Sequence, residues 1–101
     1  MHAVCALYKF TRLDDFEDIQ LPLKSFLDSL SVKGTLLLAR EGINGTISGT
    51  KDSIEKVLDY LQSDDRFFEL EYKYSYSKKP PFKRLKVKLK NIILLGFTII
   101  N

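Results

Sequence analysis

The sequence predicts an α+β sandwich, on two observations. Two helical stripes of apolar residues separate runs in which apolar and polar residues alternate, and these pieces fall in the order β-α-β-β-α-β with one strand added at the end. That order is the split-βαβ, or ferredoxin-like, arrangement. A chain of 101 residues, 45% hydrophobic and 29% charged, supports one core without metal or disulfide staples. The expected layout is a domain over residues 1–91, with residues 92–101 as an apolar strand or linker leading onward.

Ala3–Phe10 is rich in β-branched and aromatic types and reads as the first strand. Ile19, Leu23, Phe26, Leu27 and Leu30 then recur at helical spacing. Pro22 suits the first turn of a helix, where a missing N–H costs nothing, so the expected helix runs from about Pro22 to Leu30. Val32–Ala39 is a short apolar run whose length suits a buried strand. Asn44-Gly45 follows, flanked by strand-like residues. Both types tolerate positive φ, which predicts a hairpin turn there and makes the second and third strands antiparallel neighbours.

Thr50–Gln62 is the clearest helix, with Ile54, Val57, Leu58 and Leu61 on one side and either Asp52 or Thr50 as its cap. From Phe68 to Ser77 the period becomes two, placing Phe68, Leu70, Tyr72, Tyr74 and Tyr76 on one face of a fourth strand. Lys78-Lys79-Pro80-Pro81-Phe82 reads as a connector. In the fifth strand Leu85, Val87 and Leu89 oppose Arg84, Lys86, Lys88 and Lys90.

Charge is divided unevenly along the chain. Residues 1–71 hold 8 Lys+Arg and 13 Asp+Glu, whereas residues 72–101 hold 8 Lys+Arg and no acid. Such a division fits a polyanionic partner, and it fits a solvated strand face equally well. The single cysteine, Cys5, cannot form an internal disulfide. Ile92–Ile100 is too short to span a bilayer, and no signal-like leader opens the chain, so the cytoplasm is the expected compartment and no membrane partner is expected.

Enzyme chemistry finds little support. Cys5 lies in an apolar run and the only histidine is the near-terminal His2, which makes neither a nucleophile–base pair nor a metal site. Asp14-Asp15 and Asp64-Asp65 sit beside helix boundaries, where acids are ordinary. Acylphosphatases have a similar architecture, but they bind phosphate in a glycine-rich loop with an arginine between the first strand and helix. Here Lys9–Leu21 contains no glycine and four acids, which repel phosphate. The glycine-bearing segment Arg40–Gly45 offers Arg40 and Asn44 as loop contacts, although a plain hairpin accounts for it as well.

Five strings occur in order: Leu7-Tyr8-Lys9-Phe10, Lys33-Gly34-Thr35, Glu41-Gly42-Ile43-Asn44-Gly45-Thr46-Ile47, Asp65-Arg66-Phe67 and Pro81-Phe82-Lys83-Arg84-Leu85-Lys86-Val87-Lys88. Together they resemble the N-terminal domain of the rhodanese-domain tRNA uridine hydroxylases, the YceA-like family, over nearly the whole chain. Asn91 departs from the acid usual in that family after the basic strand. The resemblance implies a ferredoxin-like or acylphosphatase-like fold. It also implies a parent enzyme that places a 5-hydroxyl on the wobble uridine of certain tRNAs, with molecular oxygen as co-substrate. The family's essential cysteine belongs to a following rhodanese domain, so no catalytic residue, cofactor or metal is carried over to this segment. The expected partners are tRNA and that rhodanese domain. Lys78, Lys79, Lys83, Arg84, Lys86, Lys88 and Lys90 are the candidate nucleic-acid contacts, with stacking by Tyr72, Tyr74 and Tyr76 a lesser addition, since alternation points to core or half-buried rings. The competing expectation is a structural module that packs on and shields the rhodanese site without touching RNA.

Overall fold

The structure is a computed structural model that describes residues 1–91, so the expected apolar strand or linker at 92–101 lies outside the described residues. Strands β1 (His2–Phe10), β2 (Lys33–Ala39), β3 (Gly42–Gly49), β4 (Glu71–Ser77) and β5 (Leu85–Leu89) form one mixed sheet in the order β4-β1-β3-β2-β5. Helices α1 (Phe16–Ser29) and α2 (Lys51–Gln62) lie between β1 and β2 and between β3 and β4 in the chain. The first four strands are antiparallel neighbours, and β5 adds to the edge parallel to β2. This is the expected α+β, acylphosphatase-like sandwich with its extra strand.

Register explains the core. Cys5 pairs with Ile47 of β3 and Ile47 with Gly34 of β2, while Leu36 pairs with both Gly45 and Val87. Period-two geometry therefore sends Ala3, Cys5, Leu7, Leu36, Leu38, Ile43, Ile47 and Val87 to one face. All of them are buried in one cluster with Leu23 and Leu27 of α1 and Ile54, Val57, Leu58 and Leu61 of α2. Both helices thus cover the same side of the sheet, each burying its single apolar stripe.

Three boundaries differ from the sequence reading. Helix α1 begins at Phe16, so Pro22 is its seventh residue and not part of its first turn. Phe16 and Ile19 extend the apolar stripe backwards and pack partly on the core, which outweighs the backbone bond forfeited at Pro22. The β2–β3 loop is Arg40-Glu41, because Ala39 already pairs with Gly42. Asn44 and Gly45 lie inside β3, and the positive φ is at Gly42 (+143°), where a Cβ would stand 2.0 Å from the Lys9 carbonyl oxygen. The fourth strand starts at Glu71, after a short 3-10 helix (Asp65–Phe67) that buries Phe67 and leaves Phe68 71% exposed. Of the two caps considered for α2, Thr50 is the one used, its hydroxyl accepting from the Ser53 N–H at 3.0 Å.

Candidate nucleic-acid interface

Four of the candidate basic residues, Arg84, Lys86, Lys88 and Lys90, line up where β5 joins the sheet. Lys86 and Lys88 pair with Thr35 and Leu37 of β2, on the face opposite the helices. The hydrogen-bond pattern continues past both strand ends: the Gly34 N–H donates to the Arg84 carbonyl at 2.8 Å, and the Lys90 N–H donates to the Leu38 carbonyl at 2.8 Å. Arg84, Lys86, Lys88 and Lys90 are therefore held in one extended run, all exposed, at steps of about 6.6 Å. Helix α1 steadies this edge from the other side, since Gln20 Nε2 donates to the Val87 carbonyl at 2.7 Å.

The connector from β4 carries Lys78, Lys79 and Lys83, all exposed. Because β4 and β5 are opposite edges of the sheet, Lys83 adjoins the stripe whereas Lys78 and Lys79 begin the connector at the far edge. Phe82, half-buried, shares a shallow hollow with Thr35, Leu37 and Thr46, which anchors the connector on the helix-free face. Lys33, which the sequence reading did not single out, belongs to the same patch. It lies two residues before Thr35, the partner of Lys86, and alternation puts it on the same face. Only the strand register reveals this, because Lys33 is distant from β5 in sequence. The exposed acids Glu17, Asp18, Asp28, Asp52, Glu55 and Asp59 are on the two helices, where they are interspersed with Lys24, Lys51 and Lys56, whereas the stripe on β5 has no acid among its residues.

The two loop contacts fare differently. Arg40 is exposed in the β2–β3 loop, with its guanidinium 5.9 Å from the Phe16 ring and 3.9 Å from Asp14. Asn44 is not a loop residue: it is fully buried in the central strand β3, because the chain reverses four residues earlier than the Asn-Gly signal indicates. A phosphate cradle between β1 and α1 is likewise closed. The Thr11 and Leu13 N–H groups donate to the Glu41 and Arg40 carbonyls, and Arg12 is paired with Asp14 at 3.0 Å.

Cys5 has no exposed surface, and burial pushes its thiol up to about 11, so the thiolate needed for nucleophilic chemistry is absent at neutral pH. Among the described residues no three or more His, Cys, Asp or Glu side chains come together as a metal site. Among the same residues no helix is long and apolar enough to cross a membrane.

The family model for the UPF0176 acylphosphatase-like domain matches residues 2–93. The chain belongs to that family. Solved structures share its fold at low identity. The calcium/cy-diGMP complex of Klebsiella pneumoniae BlrP1 superposes with a TM-score of 0.74 at 19% identity, over 93% of this chain and 25% of that one. BlrP1 BLUF matches with a TM-score of 0.72 at 17% identity, over 100% of this chain and 79% of that one. Acylphosphatase from Bacillus subtilis matches with a TM-score of 0.65 at 11% identity, over 86% and 98%. This UPF0176 domain thus spans about a quarter of the BlrP1 chain it matches, and the likenesses concern fold alone.

Proposed function

We propose that this UPF0176 domain is the tRNA-contacting part of a cytoplasmic, oxygen-dependent tRNA wobble-uridine 5-hydroxylase. In this reading catalysis belongs to a rhodanese domain in the same native protein, and the present segment binds and orients the RNA. The observation that carries the RNA contact is the stripe Arg84, Lys86, Lys88 and Lys90, fixed in an extended run by β2 and free of acids along its length. Phosphate oxygens attract such a row whatever the base sequence, so the stripe supplies affinity and register, not base preference. The parent's reaction rests on the family strings and on the UPF0176 match.

The test is nucleoside analysis of tRNA from cells in which the gene for this chain is disrupted. Wobble 5-hydroxyuridine should disappear and return with the wild-type gene. An unchanged level in the disrupted strain removes the hydroxylase reading.

A further inference from the structure

We infer that the tyrosine row of β4 is a stacking surface for unpaired nucleobases, an inference that rests on the nucleic-acid reading above. Tyr72, Tyr74 and Tyr76 pair with Leu7, Cys5 and Ala3, so they stand on the helix-covered face of the sheet. Being on the outermost strand, they are only partly covered. Tyr74 is half-buried against the core, as alternation leads one to expect, whereas Tyr72 is 48% and Tyr76 52% exposed. The rings follow one another along the strand. Tyr72 and Tyr74 meet edge to face at 6.0 Å, and Tyr74 and Tyr76 are near-parallel at 6.3 Å. Each tyrosine thereby fixes the orientation of the next, so little ordering remains to be done when a planar ligand arrives.

The surroundings suit a base better than a protein side chain. Tyr72 borders two hollows, one of about 360 Å³ shared with Tyr74 and α2, the other of about 530 Å³ shared with Tyr8, Glu71 and Lys73. The first is lined by Lys51 and Gln62, which can donate to base carbonyls, and by Glu55 and Asp59, which can accept from base amino groups. The Tyr74 hydroxyl is buried there without a hydrogen-bond partner among the described residues. Immediately beyond Tyr76 the chain supplies Lys78 and Lys79, placing cations for phosphates beside rings for bases. Aromatic rings with neighbouring cations bind single strands with little sequence preference, because every base has a π-face. Paired bases are stacked inside a duplex and are closed to these rings.

The experiment compares a single-stranded oligouridylate with a duplex RNA of equal length, using this chain as wild type, Y72A/Y76A, Y72F/Y76F and K86A/K88A. The protein contains no tryptophan, so its emission comes from its five tyrosines. Affinity is read by anisotropy of labelled RNA, and quenching beyond that seen in Y72F/Y76F reports stacking on Tyr72 and Tyr76. Wild type should bind the single strand with quenching. Y72A/Y76A should lose at least about tenfold in single-strand affinity while keeping its duplex affinity and salt slope. Y72F/Y76F should bind like wild type, since phenylalanine stacks equally, and its retained binding separates loss of rings from loss of fold. If Y72A/Y76A binds the single strand as wild type does, the tyrosine surface is refuted while the basic stripe stands. If no variant binds either RNA, both readings fall. A wild-type dimer that becomes monomeric in Y72A/Y76A without a change in RNA affinity would instead assign the row to self-association and overturn the proposal.

Discussion

Arg66 joins two parts of the chain 51 residues apart: its terminal nitrogens donate to both carboxylate oxygens of Asp15, at 2.5 and 3.3 Å. The same guanidinium holds Asp64, through Nε at 3.0 Å and Nη2 at 2.7 Å. One planar fork thus ties the start of α1 to the short helix after α2. Asp15 occupies the N-cap position of α1 yet makes no side-chain cap bond, its carboxylate being given to Arg66.

The first prediction follows from that fork. The hydrogen bonds from Arg66 hold both Asp15 and Asp64 below their usual value of 3.8. A carboxyl group with a depressed folded value contributes stability that is complete above its ordinary value and is lost as pH falls through the folded one. Wild type should therefore be more stable than Arg66→Ala at pH 7, and the two should converge as pH drops below 3.8. The partners are partly exposed, so the gap should be modest and should shrink with salt. Parallel stability–pH curves for the two proteins would remove the fork from the acid response.

Core packing gives the second prediction. Leu27 has no exposed surface, whereas Leu58, at 5%, borders the hollow beside Tyr72 and Tyr74. Replacing either by alanine should cost about 2–5 kcal/mol, with Leu58→Ala at the lower end because solvent can enter the space left. The measurement is chemical denaturation of each variant. An unchanged midpoint for Leu58→Ala would take that residue out of the core.

These elements show what was legible beforehand and what was not. The stripe of α2 survives intact because its residues are spaced for a helix and the helix packs by that stripe alone. The hairpin turn lies at Arg40-Glu41 and not at Asn44-Gly45, because the latter is only a local signal. The pairing of β3 with both β1 and β2 overrides it, requiring Ile43, Gly45 and Ile47 to share the core face. Gly45 is needed there for close approach, since a Cβ would stand 2.1 Å from the Thr35 carbonyl oxygen. The basic alternation of β5 could be read directly. The contribution of Lys33 could not, because it depends on which strand lies beside β5.

A third prediction concerns Cys5. Its full burial and raised pKa should make the folded protein slow to react with an aromatic disulfide reagent at neutral pH, with reaction becoming rapid on unfolding. Cys5→Ala is the better probe than serine, which would bury a hydroxyl where the thiol's contact with the Ala6 carbonyl is a weak one at 3.9 Å. The alanine variant should retain RNA affinity. Fast labelling of native protein would mean that β1 is far more open than its pairing on both sides allows.

The fourth prediction separates the basic stripe from bulk charge. Lys86 and Lys88 occupy alternate positions of β5 on the helix-free face, whereas Lys24 and Lys56 lie on the helices, paired with Asp28 and Asp52. Replacing either pair by alanine removes the same two positive charges. Each phosphate contact releases counterions and adds roughly 0.7–0.9 to the slope of log affinity against log salt, depending on strandedness. Lys86→Ala with Lys88→Ala should therefore weaken tRNA binding across sequences and flatten the slope by roughly one to two units. Lys24→Ala with Lys56→Ala should leave the slope near that of wild type, because long-range attraction between exposed charges is largely screened beyond a Debye length of about 8 Å at physiological salt. The measurement is a salt titration of tRNA affinity for the three proteins. Equal slopes in all three would dissolve the stripe as a phosphate-binding element and leave a structural module that shields its neighbouring domain.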